Sequence, residues 1–195
     1  MAVGFTQRER ENIMEALRAA AARHATMGSM KKTSVDELCT EAGISKGAFY
    51  KFYPSKEHLF LEVLELWQQE VSRVAAEALE KAEGLDGRQR AALMMKTAWR
   101  TMRTQGLSRF QMEDVPLILR KLPEDVLRNH TLTEEAFVHE IIQRTGVKLS
   151  IAENVAYAMA CILFHTLLSA DRIGPSFDEA LDGLIDCACQ QIVEP

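Results

Sequence analysis

Between Lys31 and Phe60 the chain gathers side chains suited to contacting a charged polymer. Ser45, Gly47 and Ala48 are small enough to let a backbone approach a neighbouring surface closely, and they alternate with Lys46, Tyr50 and Lys51. Cations at this spacing reach phosphate oxygens, while a tyrosine and short polar groups reach base edges. Lys32, Thr33 and Ser34 precede them by about ten residues, and Lys56 follows. The plainer reading is a helical hairpin with a few solvated lysines.

These residues sit on a legible frame. Val35, Leu38, Cys39 and Ala42 have the i, i+3, i+4, i+7 spacing of one helix face. Ser34 and Glu37 form a capping box ahead of them, and Gly43 supplies a left-handed stop. Ser45 caps a second helix from Lys46 to Tyr53, about two turns long, which Pro54 ends. Two short helices around a tight turn, at about 34–53, are the grammar of a helix-turn-helix, whose second helix enters the major groove.

The run Ala42-Gly43-Ile44-Ser45-Lys46-Gly47-Ala48-Phe49-Tyr50, followed by Phe52-Tyr53-Pro54-Ser55-Lys56-Glu57 and Leu59-Phe60, resembles the signature of the tetracycline-repressor (TetR) family. The resemblance covers roughly the first 65 residues. It implies an all-helical homodimeric transcription regulator, most simply a repressor released from a near-palindromic double-stranded operator by a small effector. It also implies a DNA-binding domain at 1–54 and a ligand-binding and dimerisation domain at 55–195. Carried over position by position, it assigns Lys32, Thr33 and Ser34 to phosphates, Ser45, Lys46, Gly47, Ala48 and Tyr50 to the groove, and Lys51 and Lys56 to the backbone. The family commonly ends the second helix with Tyr or His and then Phe. Here Phe52 cannot donate a hydrogen bond, so that bond to phosphate is absent or moves to Tyr53. The family also places large aromatics near His24 and after the first helix, where this chain has Ala25 and Met30.

Composition permits this reading without forcing it. The net charge of −5 divides into +2 over residues 1–55 and −7 over 56–195, so affinity for DNA depends on where individual cations point. No segment is long and apolar enough to span a membrane, and the N-terminus lacks a secretory pattern; a cytoplasmic location is expected. Cys39, Cys161, Cys187 and Cys189 show no zinc spacing, and reduced thiols are the default. No nucleophile elbow, zincin motif or phosphate loop is present, so no enzyme, metal or cofactor is expected.

The remaining elements follow from caps and breaks. Thr6 with Glu9 opens a helix that ends at Gly28. Ser55 opens a long one to about Ala82, and Asp86 another to about Gln105. Ser108–Leu122 is interrupted by Pro116, and Glu113-Asp114 beside it reads as a solvated pair, with cation binding as the alternative. Pro123–His130 is a short segment. Thr131, Ser150 and Ser176, each three residues before a Glu, open helices to about Thr145, Asp171 and Val193. No strand pattern is found, so the fold class is all-α.

Two further sets belong to the C-terminal part. Met94, Met95, Trp99, Met102, Phe110, Met112, Phe137, Tyr157 and His165 suit a pocket for an apolar or amphipathic effector, with plain core packing the alternative. The last two helices resemble the family's dimerisation pair, with Ala158, Ile162, Thr166, Leu181, Leu184, Ile185 and Ala188 at the interface. The alternative to the regulator as a whole is a helical ligand-binding or scaffold protein without a DNA role, or a regulator that needs no small ligand.

Overall fold

The computed structural model describes the backbone of residues 5–167 and 170–194, with side chains except at 107–108, 130–138, 140–141, 164, 167 and 171–172. Eleven helices are present among the described residues: α1 (Gln7–Met27), α2 (Val35–Ala42), α3 (Lys46–Phe49), α4 (Lys56–Glu80), α5 (Gly87–Thr104), α6 (Leu107–Glu113), α7 (Val115–Lys121), α8 (Glu124–Thr145), α9 (Glu153–Leu167), α10 (Ala170–Ile173) and α11 (Phe177–Ile192). The one extended pairing among them is an isolated antiparallel bridge, Leu149 with Val193.

Several boundaries follow from local chemistry. Thr6 with Glu9, Ser34 with Glu37 and Asp86 with Gln89 each exchange both bonds of a capping box. Gly43 closes α2 at φ 67°, a left-handed conformation that a Cβ disfavours. Pro116 lies in the first turn of α7, so the proline separates α6 from α7 at Asp114.

Three expectations are corrected. The second helix of the hairpin is shorter than two turns: regular α3 stops at Phe49, and residues 50–52 continue as turns, with Lys51 N–H on Ala48 O and Phe52 N–H on Phe49 O. The segments on either side of Thr131 form the single helix α8. No Gly or Pro lies between Glu124 and Thr145, and a residue able to cap does not end a helix whose backbone ladder can continue. Ser150 does not cap α9, and Ser176 holds the N-cap position of α11 without using its side chain. Ser150 instead donates through N–H to Ile192 O at 2.8 Å and through Oγ to Gln191 O at 2.7 Å.

The chain divides into two compact units that do not follow its order: Met1–Gln68 with Arg109–Pro123, and Gln69–Ser108 with Glu124–Pro195. In the first, α1 packs on α2 and α2 on α3. Leu17, Leu38, Phe49, Leu59, Phe60, Leu64, Phe110 and Ile118 are fully buried. Phe110 stacks between Phe60 (6.1 Å) and the edge of Trp67 (5.5 Å), which fastens residues 109–123 to the first half of α4.

In the second unit α11 packs on α5. Trp99, Phe177, Leu181, Ile185 and Cys189 form its core, and Trp99 meets Phe177 edge-on at 5.7 Å. The α5–α11 seam is flanked by Lys96–Asp186 at 2.6 Å, Arg100–Asp182 and Arg103–Asp178. A second cluster joins Val71, Ala75 and Leu79 of α4 to Met94 and Ala98 of α5.

Candidate nucleic-acid interface

α3 is held by one side and offers the other. Phe49 is fully buried and meets Tyr53 and the edge of Tyr50 at 6.0 and 5.4 Å. Ser45 starts the helix by accepting from Ala48 N–H at 3.2 Å. With Phe49 and Ala48 facing inward, Ser45, Lys46, Gly47, Tyr50 and Lys51 are exposed together, Tyr50 at 51%. Lys46 Nζ donates to Asp36 Oδ2 of α2 at 2.9 Å, a bond that raises its pKa from the ordinary lysine value. A Cβ added at Gly47 would meet nothing within 4 Å.

The end of α3 is packed by aromatic contacts. Phe52 lies 5.6 Å from Phe5 and under the Arg10 guanidinium at 5.0 Å, while the Lys51 ammonium sits 5.8 Å from the Phe5 ring. Tyr53 is turned inward. Its hydroxyl donates to Glu62 Oε2 at 2.5 Å, Arg18 also reaches Glu62, and burial with the neighbouring carboxylate pushes the phenol up. The phosphate contact that Tyr53 was expected to take over from Phe52 is therefore unavailable from this side chain: its one polar atom is spent inside the unit.

The approach to α2 is divided in the same way. Lys31, Lys32 and Ser34 are exposed, whereas Thr33 is buried. The Thr33 hydroxyl donates to Ser29 O at 2.9 Å and lies 3.1 Å from His24 Nδ1. His24 Nε2 lies 2.7 Å from Glu41, which also pairs with Arg23 at 2.6 Å. Arg23 and then His24 hold the Glu41 carboxyl below its ordinary value. Lys56, expected on the DNA backbone, is also turned in. Its ammonium donates to Met30 O at 2.8 Å and Thr33 O at 2.5 Å, and burial pulls its pKa down. Ala48 is buried beneath the exposed face.

Asp114, read as solvated from the sequence, is buried. It accepts from Ser29 Oγ at 2.8 Å and Met30 N–H at 2.9 Å. Neither the His24–Thr33–Glu41 knot nor this contact carries a local sequence signal.

The residues suggested for a pocket fall into separate clusters where they are described. Met94 and Met102 belong to the α4–α5 cluster, and Met95 and Trp99 to the α5–α11 core. Phe110 is core of the first unit, because α6 ends against Phe60 and Trp67. Met112 and His165 are exposed, Tyr157 is half-buried, and the side chain of Phe137 lies outside the described residues. The interface set divides too. Leu181, Ile185 and Ala188 are consumed by this chain's own core. Ala158, Ile162 and Leu184 are exposed, and Thr166 is half-buried. Among the described residues no group of three or more His, Cys, Asp or Glu is placed to hold a metal, and no helix is long and apolar enough to cross a membrane.

Residues 17–63 match the family model described as bacterial regulatory proteins, tetR family. They span α1 from Leu17, the hairpin and the start of α4, the elements that set out the exposed face of α3. The chain carries the helix-turn-helix head of a tetR-family DNA-binding regulator. Over nearly its whole length the chain shares the fold of solved TetR-family regulators. A TetR transcriptional regulator from Rhodococcus sp. RHA1 superposes with a TM-score of 0.65 at 19% identity, over 95% of this chain and 96% of that one. A TetR family regulator from Marinobacter aquaeolei VT8 gives 0.61 at 14%, over 97% and 100%. FadR from Bacillus subtilis, in complex with stearoyl-CoA, gives 0.59 at 14%, over 93% and 98%. No curated protein matches the regulator in sequence.

Proposed function

We propose that the regulator is a non-enzymatic, cytoplasmic homodimeric repressor. Residues 1–54 read DNA and residues 55–195 dimerise and bind a small effector. Two copies of α3 enter successive major grooves of a near-palindromic operator. Ser45, Lys46, Gly47 and Tyr50 face the bases, while Lys32, Ser34 and Lys51 face phosphates.

The observation that carries this reading is Gly47. Glycine inside a helix costs about 1 kcal/mol relative to alanine. The chain has no steric need for it, because a Cβ there would enter open space. A bare backbone flanked by exposed Lys46, Tyr50 and Lys51 suits a partner that approaches closely and carries negative charge.

An apolar or amphipathic effector is supported by two observations. FadR of Bacillus subtilis, which shares the fold, is bound to stearoyl-CoA. In this chain the indole N–H of Trp99 is buried in the α5–α11 core without a hydrogen-bond partner among the described residues, a donor that a ligand oxygen would satisfy. An effector releases DNA only if it binds better to the conformation with the wrong head spacing.

Selection of fragments bound by the purified protein from genomic DNA, at two salt concentrations, tests the reading. Enrichment of a palindromic site, weakening steeply with salt, is expected. Fragments recovered without any shared site would overturn it.

A further inference from the structure

Of the buried polar side chains described, Asp114 is the least exposed, at 2%. It stands at the start of α7, where a carboxylate would ordinarily accept from the free N–H groups of the first turn. It makes no such bond. It is turned instead onto residues 85 and 84 positions earlier, accepting from Ser29 Oγ and Met30 N–H. Burying a carboxylate is costly unless donors meet its oxygens, so the donors met here are informative. Both belong to the loop between α1 and α2.

That loop is held from two sides with opposite charge. Its donors face Asp114. Its acceptors Met30 O and Thr33 O face the Lys56 ammonium. Ser29 O closes the loop on itself, taking Lys32 N–H at 3.1 Å, Thr33 N–H at 3.2 Å and the Thr33 hydroxyl. The backbone from 29 to 33 is thus fixed, while the side chains of Lys31 and Lys32 stay exposed and Ser34 caps α2 immediately after.

We propose that Asp114 is a positioning residue for DNA binding: from the α6–α7 joint it fixes the loop that presents Lys31, Lys32 and the first turn of α2 to phosphate. This rests on the DNA-binding reading above. The return segment 109–123 then serves the DNA-binding unit by bringing one buried anion under this loop.

The test uses the full chain as Asp114→Ala, Asp114→Asn and Ser29→Ala. Asparagine can accept from Met30 N–H and donate to Ser29 Oγ, so it keeps the geometry without the charge. The first readout is backbone amide hydrogen exchange without DNA. Met30 N–H should lose protection in Asp114→Ala and keep it in Asp114→Asn, with the α1 amides near Leu17 and Ala21 unchanged. The second is affinity for the selected operator as a function of salt. Asp114→Ala should bind about tenfold or more weakly, with a log–log salt slope shallower by about one per head for each phosphate that a lysine no longer neutralises. Ser29→Ala should fall between, and Asp114→Asn should stay within about threefold of the parent.

Unchanged Met30 exchange in Asp114→Ala and Ser29→Ala would overturn the latch whether or not DNA binds. Lost protection with unchanged operator affinity and slope would overturn the positioning role while leaving the DNA-binding reading intact. A parent protein that enriches no common site would remove the reading itself. Should Asp114→Ala not fold, Ser29→Ala carries both readouts.

Discussion

Lys46 Nζ sits 2.9 Å from Asp36 Oδ2, so the cation that leads the recognition helix is partnered by a carboxylate on the helix before it. Both side chains are exposed, and an exposed pair of this kind adds little to stability. Its consequence lies at the DNA. Lys46→Ala and Tyr50→Ala should abolish operator binding while circular dichroism and thermal melting stay close to the parent. Asp36→Ala should tighten non-specific binding by about threefold at low salt, because it removes a negative charge beside phosphate and releases Lys46. Fluorescence anisotropy with a scrambled duplex measures this. Parent-like operator affinity in both Lys46→Ala and Tyr50→Ala would remove α3 as the reading element.

Gly47 gives a prediction with opposite signs. In the free protein Gly47→Ala should raise stability by about 0.5–1 kcal/mol, since a methyl group meets nothing and the helix gains propensity. The same change should weaken operator binding, and Gly47→Leu should abolish it, because the side chain stands where the groove edge must come. Chemical denaturation and anisotropy on the same samples separate the two effects. A Gly47→Leu protein with unweakened operator affinity would show that the helix does not approach DNA at this point.

What could be read from the sequence was what is local. The caps at Thr6, Ser34 and Asp86 and the left-handed Gly43 act within four residues, whereas Ser150 and Ser176 carry the same spacing to a Glu and make no side-chain cap, Ser150 being drawn to the carbonyls of Gln191 and Ile192 more than forty residues away. The exposed set Lys46, Gly47, Tyr50 and Lys51 follows from putting Phe49 inside. The inward turn of Tyr53 and Lys56 does not, because their partners, Glu62 and the carbonyls of Met30 and Thr33, are set by how helices stack. Phe110 and Met94 have pocket-like composition, yet each fills a different core; an apolar side chain carries no mark of which cluster it joins. Asp114 was the least legible, since its partners lie more than eighty residues away.

The DNA-binding unit should lose stability in acid partly through Glu57. This carboxyl is buried, which alone would raise its pKa. The ion pair with Lys121 at 2.8 Å, its own backbone N–H and Ser55 outweigh burial and leave it lowered. A lowered folded value means its stabilisation is complete above the unfolded value near 4.5 and is lost as pH falls through the folded one. Lys121→Met should cost about 1–2 kcal/mol at neutral pH, less than a fully buried pair because the lysine end is exposed. The gap between variant and parent should narrow as pH falls below the unfolded value near 4.5 and through the lowered folded one, where the parent loses what the variant already lacks. Denaturant melts across this range measure it, and a gap independent of pH would exclude the ion pair as the cause.

The outer faces of α9 and α11 test the dimer. Leu181, Ile185 and Ala188 are already covered by this chain, so in the proposed dimer a second copy would use what remains. Ile162 is 64% and Leu184 53% exposed, with Val155, Ala158 and Cys187 exposed beside them in the two helices. Large apolar side chains at such exposure favour burial against a like surface, and an isologous contact places each helix pair against its own copy. Ile162→Asp and Leu184→Glu should each shift sedimentation from dimer to monomer with helicity retained, and should weaken operator binding because two linked heads bind better than one. Cys187 supplies an independent readout, one turn beyond Leu184 on the same face. Its thiol should react slowly in the dimer and quickly in either variant, whereas Cys189, buried and pushed up to about 11, should stay slow in all three. Dimers that survive both charge substitutions, with Cys187 equally reactive throughout, would place the subunit contact elsewhere.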